Sequence, residues 1–586
     1  MRTWNDRLRA ALIETRGELE GRMLADRFAN AFPAAYEEDV SIPVALEDIK
    51  QLVEVIADPD RIAMRLTADP TAAAETIHLR LFRSASPIAL SQALPILENM
   101  GFVVLSEHPY RIEAPNSRPI WLQDFQMQRR DGGTVSPEAL GPRFTDTFAS
   151  VWTGRAESDG FNRLVVVTTM TWRQAVVLRA YCKFLLQTGG TFSQSYMEQV
   201  LASNAAIASA LSQLFEAQFD PAMKAPRREA ELARVQAEID RLLDAVTSLD
   251  EDRILRRFVG AIRATLRTNY YQKDGKEPHK SWLSFKLDPR NVPELPQPRP
   301  AFEIFVYSPR VEGVHLRMGY VARGGIRWSD RREDFRTEVL GLMKAQNVKN
   351  TVIVPVGAKG GFVPKRLPAN ASREDVQREG VECYRTFIRG LLDLTDNIVD
   401  GKLVPPPQVV RRDDDDPYLV VAADKGTATF SDIANRISAE YNFWLGDAFA
   451  SGGSVGYDHK KMGITARGGW ECVKRHFREL GIDTQSQDFT AIGIGDMAGD
   501  VFGNGMLQSP HTKLLAVFNH QHIFLDPTPA PAASFAERKR LFDLPRSSWE
   551  DYDRKVISKG GGVFPRSAKS IRLSPQVQAM FGVKRE

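Results

Sequence analysis

One apolar segment limits the possible folds of this chain more than any other feature. The run TVIVPV, residues 351–356, contains no charged side chain and no regular alternation of apolar and polar positions. Strands that are buried on both faces have this composition, and they occur in sheets that are covered by helices on both sides. The segment therefore predicts an α/β domain with this strand inside its sheet.

A lysine among glycines follows the apolar run at once. Lys359 stands in the sequence GAKGG, just beyond the predicted end of the strand. Ligands bind at the carboxyl ends of strands in open α/β sheets, and glycines let the backbone approach a ligand closely. Burial would lower the pKa of this lysine from about 10.4 toward neutrality, where it can exchange protons. An isolated GAKGG, however, is more often a glycine turn with a surface lysine.

A second apolar strand favours the functional interpretation. YLVVAAD, residues 418–424, also ends on a charge, Asp424. If both strands run parallel in one sheet, Lys359 and Asp424 lie at the same edge, where a lysine and a carboxylate can act as an acid–base pair. The alternative is that Asp424 caps the loop before a helix that starts near Ser431.

Two further cations precede Lys359 in the sequence. Arg323 comes before the glycine pair of GYVARGGIRW, and Lys349 ends a helix-like stretch that is rich in apolar residues. Each of these cations alone is typical of a solvated surface charge. Together with Lys359 they would suit a substrate that carries two negative charges.

A glycine-rich segment indicates a nucleotide site. FTAIGIGDMAGDVFGNGM contains Gly493, Gly495 and Ala498, which fit the fingerprint G-x-G-x-x-G/A of dinucleotide-binding folds. In that fingerprint Gly493 makes the tight turn, Gly495 admits the pyrophosphate and Ala498 packs the following helix. NAD sites usually carry Asp or Glu about 20 residues further on, and here that position holds Asn519.

The chain divides into regions of different pattern. A strand–helix–strand–strand order predicts a small α/β sandwich, the apolar stripe of ELARVQAEIDRLLDAV predicts a helical packing seam, and five prolines predict a stiff linker at a domain boundary. After the linker, strands and helices alternate, which predicts an open and largely parallel sheet. The run DDDD at 413–416 is more typical of a solvated loop than of a metal site. The predicted regions are a helical segment at 1–75, the sandwich at 76–135, a helical region at 136–286, the linker at 287–300, and α/β regions at 301–485 and 486–586.

The composition gives no reason to propose a nucleic-acid or membrane partner. The formal net charge is +3, with 43% hydrophobic and 26% charged residues, as in an ordinary soluble globular protein. The first twenty residues are charged throughout, so we expect no signal peptide, and no apolar run reaches the roughly 18 residues of a membrane span. Three cysteines lie far apart in the sequence, which indicates a reducing cytoplasm and neither a disulfide framework nor a zinc site.

These motifs together resemble the amino-acid dehydrogenase superfamily that includes glutamate dehydrogenase. The segments RGGIRW, VKN and GAKGG follow the order of its substrate site. GDMAGDVFGNGML and KGGGVFPRSAKSI are most similar to the large, multidomain bacterial NAD-dependent glutamate dehydrogenases. The resemblance extends over nearly the whole chain. It implies an α/β multidomain fold with an ACT-like regulatory domain, a helical region, an α/β substrate-binding domain and a partial Rossmann dinucleotide-binding domain.

The resemblance also implies roles for individual residues. Lys359 stands at the position of the catalytic lysine, Asp424 at that of the catalytic aspartate, and Lys349 where the substrate α-carboxylate is bound. Arg323 replaces a substrate-binding lysine, which keeps the charge but exchanges a point charge for a planar fork. No metal site is implied. The other implied site residues are Gly324 and Gly325 for the substrate and Thr465, Gly493, Gly495, Asp496, Met497, Ala498 and Asn519 for the cofactor.

The implied reaction is the oxidative deamination of L-glutamate to 2-oxoglutarate and ammonium, with NAD as hydride acceptor. Asn519 weakens the preference for NAD because asparagine does not repel the 2′-phosphate of NADP. The resemblance further implies a cytoplasmic homo-oligomer and an amino-acid effector at the ACT-like domain. Two alternatives stay open: a dehydrogenase for another amino acid, and a truncated or regulatory relative that binds nucleotide without turnover.

The length of the nucleotide-binding region bears on these alternatives. A complete dinucleotide-binding domain takes about six strands, and the stretch from Phe489 to Glu586 holds fewer strand-like segments than that. We therefore expect a fragment in which part of the nucleotide domain is absent, with an exposed sheet edge and little dehydrogenase activity of its own.

Overall fold

The computed structural model describes residues 3–68, 76–275, 277–349, 356–367, 370–424, 427 and 429–583, without the side chains of 347–349. The chain forms two compact units, Met1–Phe449 and Ala450–Glu586, which are treated separately below.

The first unit begins with four helices and a four-stranded sheet. The predicted strands and helix of the small α/β sandwich are confirmed, but a further strand, β1, lies inside the segment predicted to be helical. Its Leu66 pairs opposite Leu79 and is buried in the core of the sandwich. The sheet is antiparallel in the order β1-β2-β4-β3. The elements are α1 Trp4–Arg16, α2 Glu18–Phe28, α3 Ala34–Asp39, α4 Ile42–Ala57, β1 Ala63–Ala68, β2 Thr76–Ser84, α5 Leu90–Asn99, β3 Phe102–Ile112 and β4 Ile120–Arg129.

A helical region follows the sandwich. Along α11 the predicted seam is confirmed, since Val235 and Ile239 are buried in a large apolar core. The helices end at Ala264, short of the predicted limit at 286, because the next residues pair into a sheet. The helices are α6 Pro137–Trp152, α7 Leu164–Val167, α8 Trp172–Leu186, α9 Gln194–Ser203, α10 Ala205–Phe219, α11 Ala225–Leu243 and α12 Leu249–Ala264.

A seven-stranded sheet of mixed type forms the rest of the first unit. Its order is β13-β9-β10-β8-β7-β6-β5, and only β13, β9 and β10 run parallel to one another. The expectation of a largely parallel sheet is therefore wrong, because β5 to β8 follow one another as antiparallel neighbours. Parallel pairing needs helical crossovers, and these occur only among the strands at the β13 end of the sheet. Its elements are β5 Thr265–Thr268, β6 Leu283–Leu287, β7 Phe302–Tyr307, β8 Val311–Arg317, β9 Ala322–Trp328, α13 Phe335–Lys349, β10 Val356–Pro364, α14 Arg373–Leu392 and β13 Val420–Ala423. The hairpin β11 Asn397–Val399 and β12 Lys402–Val404 precedes β13, and α15 Ser431–Glu440 follows it.

The proline-rich segment 287–300 is not a linker between domains. It connects β6 to β7, and these two strands pair with each other in the same sheet. Val292 and Leu295 of this segment are buried in the large apolar core. The prolines therefore shape a connection within one unit.

The run DDDD at 413–416 is not simply a solvated loop. Asp413 and Asp416 are buried and face cations that three strands of the sheet provide. Lys286 lies 2.7 Å from Asp416, and Arg267 lies 2.6 Å from Asp413. Lys286 also contacts Asp413, and Arg317 contacts Asp416. This buried ionic network depends on pairing between distant segments, which the local sequence does not reveal.

The second unit contains a smaller sheet. β14 and β15 are parallel and flank α18, whereas β16 and β17 add antiparallel strands in the order β14-β15-β16-β17. The predicted strand–helix–strand arrangement after Phe489 is confirmed. The elements are α16 His459–Met462, α17 Ile464–Glu479, β14 Phe489–Ile494, α18 Asp500–Met506, β15 Thr512–Phe518, β16 His522–Leu525, α19 Pro531–Asp543, β17 Gly562–Pro565 and α20 Pro575–Phe581.

The described part of the chain contains neither a helix suited to cross a membrane nor a cluster of metal-ligating side chains. None of its helices combines the length and the apolar character that crossing a bilayer requires. The same residues contain no group of three or more His, Cys, Asp or Glu side chains that could hold a metal ion.

Candidate active site

Lys359 lies inside a strand, not beyond the end of one. It is the fourth residue of β10 and pairs opposite Leu316 of β8. Residues 351–355, which make up most of the predicted strand TVIVPV, lie outside the described residues. The glycines around Lys359 continue the strand, so the alternative of a glycine turn with a surface lysine is wrong.

The glycines near Lys359 serve close packing. A Cβ atom at Gly361 would lie 2.6 Å from Cγ2 of Val339 in α13, and one at Gly360 would lie 2.5 Å from Cδ1 of Ile326 in β9. A Cβ atom at Gly324 would lie only 1.5 Å from the carbonyl oxygen of Ala358. Glycine is therefore required where β9, β10 and α13 approach one another around the lysine.

The parallel strands place the predicted residues on one face of the sheet. Arg323 of β9 pairs opposite Gly357 of β10 and Val420 of β13. Side chains two residues apart on a strand share a face, so Lys359, Asp424 and Arg323 share this one. The prediction that Lys359 and Asp424 meet is confirmed.

The lysine and the aspartate form a direct ion pair. Lys359 Nζ lies 2.5 Å from Asp424 Oδ2, and the lysine is 8% exposed. A charge-assisted hydrogen bond of this kind holds both groups in a defined geometry. The backbone N–H of Asp424 donates to Thr427 Oγ1 at 3.1 Å, and that hydroxyl donates to the carbonyl of Ile326 at 2.6 Å. Asp424 and Thr427 are thereby connected to β9.

Asp424 does not cap the following helix. The N-cap of α15 is Phe430, whose side chain makes no capping hydrogen bond. The carboxylate of Asp424 is directed to the lysine and to a second cation.

That second cation is Arg327, which the motif analysis missed. Its Nε lies 3.0 Å from Asp424 Oδ2, the oxygen that Lys359 also contacts. Its Nη1 lies 3.0 Å from Glu338 of α13, which also accepts a hydrogen bond from Ser329 Oγ at 2.6 Å. Burial would lower the pKa of Arg327, but its bonds to Asp424 and Glu338 raise the pKa above its ordinary value. The period of two along RGGIRW, which puts Arg327 on the face of Arg323, was the available signal.

Arg323 has a different environment from Arg327. No carboxylate among the described residues pairs with it, and it is half-buried on the same face as Lys359. Gly325 lies between the two arginines, where a Cβ atom would come within 3.2 Å of the Cβ of Asp424. Lys349 is the last residue of α13, but its side chain lies outside the described residues.

The glycine fingerprint of the second unit differs in detail from the expectation. Gly493 lies within β14, and the tight turn is made by Gly495, whose φ of +143° favours glycine. The close approach to the following helix occurs at Gly503, where a Cβ atom would lie 2.4 Å from the carbonyl of Met497. Gly495 therefore makes the turn that was expected of Gly493, and Gly493 also lies close to α18, since a Cβ atom there would be 2.5 Å from Cε2 of Phe502.

Asn519 is held in a turn at the end of β15. Its Oδ1 accepts hydrogen bonds from the backbone N–H groups of Gln521, at 2.8 Å, and His522, at 2.6 Å. Its Nδ2 donates to Asp496 of the fingerprint loop. Thr465 is exposed in the first turn of α17.

The second unit fits part of a dinucleotide site. The β14–α18–β15 arrangement, with its turn at Gly495, is the unit that holds a pyrophosphate on backbone N–H groups. The N-cap of α18 is Gly499, which has no side chain to cap the helix. Met497 points into the apolar core, so only its backbone is available to a ligand.

Comparison with known protein families gives a consistent result. The family described as "Bacterial NAD-glutamate dehydrogenase, catalytic domain" matches residues 238–586. Further matches are a glutamate dehydrogenase ACT3 domain at 61–140, which includes β1, and helical motifs 2 and 3 at 11–55 and 156–221. The multidomain α/β architecture with an ACT-like sandwich and a helical region is confirmed.

Curated relatives are similar over the whole of this chain. An "NAD-specific glutamate dehydrogenase" of Halomonas elongata is 54% identical over 585 residues, which is 100% of this chain and 36% of that protein. Proteins of the same description from Pseudomonas aeruginosa and Mycobacterium tuberculosis are both 53% identical to this chain. The first is aligned over 100% of the chain and the second over 99%. The chain thus spans about a third of the length of these relatives, 36% in each case.

Proposed function

The chain belongs to the bacterial NAD-glutamate dehydrogenase family, and we propose that it contributes the proton-transfer site for the oxidative deamination of L-glutamate to 2-oxoglutarate and ammonium. The observation that carries the proposal is the 2.5 Å contact between Lys359 Nζ and Asp424 Oδ2 on the covered face of the sheet. This contact joins a base and an acid in a site that is largely removed from water.

Lys359 and Asp424 have complementary roles in this proposal. NAD, when bound, accepts the hydride that leaves the substrate α-carbon. Lys359 takes a proton from the water that attacks the resulting iminium carbon. Asp424 carries protons to and from the substrate nitrogen, and Arg327 holds the aspartate in place through the carboxylate oxygen that Lys359 also contacts.

Arg323 and Lys349 are the proposed carboxylate ligands of the substrate. Arg323 supports this role because it is half-buried beside the pair and no described carboxylate neutralises it. An amino acid without a second carboxylate would leave this charge unpaired in the site. We therefore favour glutamate over amino acids with apolar side chains.

The proposed cofactor is NAD, held at the segment from Gly493 to Ala498, with Thr465 and Asn519 as further contacts. Asn519 donates to Asp496 in the chain as it stands, so an aspartate at 519 would bring two carboxylates together. We also propose a homo-oligomer in the cytoplasm, and an amino-acid effector at the four-stranded ACT-like sheet.

The test is an assay of NADH oxidation by the purified natural gene product with 2-oxoglutarate and ammonium. Lys359→Ala should lower turnover at least ~100-fold, the usual scale for a general acid–base group. The matched control is Lys344→Ala, because Lys344 is exposed on α13, and its turnover should equal that of the unchanged protein.

Three results would contradict the proposal. Near-normal turnover of the Lys359→Ala variant would remove the lysine from the mechanism. Faster turnover with a 2-oxo acid that has an apolar side chain would identify a dehydrogenase for another amino acid, and no turnover with any 2-oxo acid would favour a relative without activity.

A further inference from the structure

We propose that a cavity in the first unit, away from the Lys359–Asp424 pair, binds a small planar anion. By this we mean an aromatic ring that carries a phosphate or carboxylate group. The cavity has a volume of about 380 Å³ and lies between α8, the β5–β6 connection and the end of β7. This volume is within the range of small-molecule sites. We call it the arginine cavity and define it by Arg155, Trp172, Arg173, Tyr270, His279 and Trp282.

The first argument is uncompensated positive charge. Arg173 donates through Nη2 to the carbonyl of Tyr270 at 2.8 Å, but its Nε is buried without a hydrogen-bond partner. Arg155 donates to Ser150 Oγ at 3.2 Å. No carboxylate in the described ranges pairs with either guanidinium. Arg173 is half-buried, and because a cation partly removed from water without a counter-charge is costly, an anionic ligand would relieve that cost.

The acids of the arginine cavity do not neutralise these two arginines. Asp274 and Glu277 lie exposed at its rim and join each other through backbone hydrogen bonds. Lys280 also lines the cavity, but it is paired with Asp393. Burial first, and then the charge of Arg173, lower the pKa of His279, which agrees with a positive potential inside the cavity.

The second argument is the placement of aromatic rings. The guanidinium carbon of Arg173 lies 4.5 Å from the ring centre of Tyr270, and that of Arg155 lies 5.6 Å from the ring of Trp172. A guanidinium that packs on a ring can still direct N–H groups in its own plane to an oxyanion, and Arg173 has its unpartnered Nε for this. Trp282 adds a third aromatic ring to the lining. The lining therefore matches a ligand with both a ring and an oxyanion.

The arginine cavity is separate from the Lys359–Asp424 pair. It reaches β7 at Tyr307, which pairs opposite Glu312, and Glu312 pairs opposite Val363 of β10. Val363 is four residues from Lys359, roughly 13 Å along the strand. The site thus goes beyond the proposed function, and its test does not depend on turnover.

Binding can be measured with four probes in the purified protein by calorimetry. Phenyl phosphate and indole-3-acetate carry both features, whereas inorganic phosphate lacks the ring and indole lacks the charge. At least one of the first two should bind with a Kd below ~1 mM, and at least ~10-fold more tightly than inorganic phosphate and indole. Which of the two binds more tightly distinguishes a phosphate ligand from a carboxylate ligand.

Variants connect the binding to the two arginines. Arg155→Gln and Arg173→Gln should each weaken the affinity at least ~10-fold. Because Arg155 is exposed, its variant should also keep the thermal unfolding temperature of the unliganded protein. Arg256→Gln is the control, because Arg256 is exposed on α12 and pairs with Asp252 of the same helix. Absence of binding by both ring-bearing anions, or unchanged affinity in either cavity variant, would overturn the proposal.

Discussion

Strand β10 of the first unit and strand β14 of the second both carry predicted site residues, but their surroundings differ. β10 is buried along almost its whole length, with Val339 of α13 close to one face and Phe387 of α14 stacked on Phe362 at the other. β14 lies at the edge of its sheet among the described residues. Its Ile492 and Ile494 are 64% and 70% exposed.

The difference determines how firmly each strand holds its side chains in place. In β10 the packing on both faces holds Lys359 in one geometry against Asp424, so the proton-transfer pair is preorganised. In β14 one row of apolar side chains, that of Ile492 and Ile494, is exposed in the described part of the chain, so local packing there depends on fewer neighbours. Substitutions should therefore lower stability strongly in the first sheet and only slightly at Ile492 and Ile494, which we call the open row of β14.

The largest effect is expected where the first sheet buries charge. Asp416→Ala should lower the free energy of unfolding by about 3–5 kcal/mol, because it removes the carboxylate that buried Lys286 and Arg317 share and leaves Lys286 with Asp413 alone. The control is Asp415→Ala in the same run, since Asp415 is 62% exposed and should change stability by less than about 0.5 kcal/mol. Chemical denaturation measures both, and equal effects would contradict a buried network.

The same aspartate predicts a dependence on pH. Burial alone would raise the pKa of Asp416, but Arg317 and Lys286 hold the pKa below its ordinary value. The stabilisation by Asp416 is therefore complete above the unfolded-state pKa of about 3.9 and is lost as the pH falls through the folded-state value. In acid the stability of Asp416→Ala should fall less steeply than that of the unchanged protein. Parallel curves would exclude this contribution.

Close strand packing should give the next largest effect. Gly324→Ala should destabilise the first unit by about 3 kcal/mol, because the new Cβ would meet the carbonyl of Ala358. Gly341→Ala is the matched control, since nothing lies within 4 Å of a Cβ there and the helix should gain about 0.5–1 kcal/mol. Thermal unfolding of the two variants tests the contrast, which would fail if both had the same melting temperature.

Arg327 should affect turnover more than folding. Arg327→Gln should reduce kcat about 10-fold and move the acid limb of the pH–rate profile to higher pH, because Asp424 loses one of its two cations. Arg331→Gln, at an exposed pair with Asp334, is the control and should leave the profile unchanged. A lowered rate with an unshifted profile would assign Arg327 a purely structural role.

The smallest effect is expected on the open row of β14. Ile494→Thr should change the free energy of unfolding by no more than about 0.5 kcal/mol, because the side chain is mostly solvated. The same substitution at Ile326, which is fully buried in β9, should cost at least about 1 kcal/mol. Equal losses at the two positions would remove the contrast between the sheets.

Local composition was enough to predict the central pair. Lys359 and Asp424 each follow apolar residues of the kind that parallel, doubly covered strands contain, and their meeting requires only that β10 and β13 belong to one parallel set. The position of Lys359 inside β10 was harder to predict than its contact with Asp424, because nothing in the local sequence showed that the surrounding glycines continue the strand. Residues 351–355, on which the interpretation began, lie outside the described residues.

Features that depend on distant pairing escaped the sequence analysis. Asp413 and Asp416 look like a solvated run until β5, β6 and β8 bring Arg267, Lys286 and Arg317 against them. The prolines between β6 and β7 look like a linker until the two strands pair. In both cases the interaction is with a residue or strand that is distant in the sequence. The pattern of apolar and polar residues within one segment cannot predict such an interaction.

A double-mutant cycle on Lys359 and Asp424 tests the central claim most directly. If the two side chains form one proton-transfer unit, Lys359→Ala and Asp424→Asn should each lower turnover at least ~100-fold, and the double variant should be less than ~10-fold slower than either. Circular dichroism of the three variants confirms that the fold is retained. Losses that multiply in the double variant would show that the two residues act independently and would contradict the account.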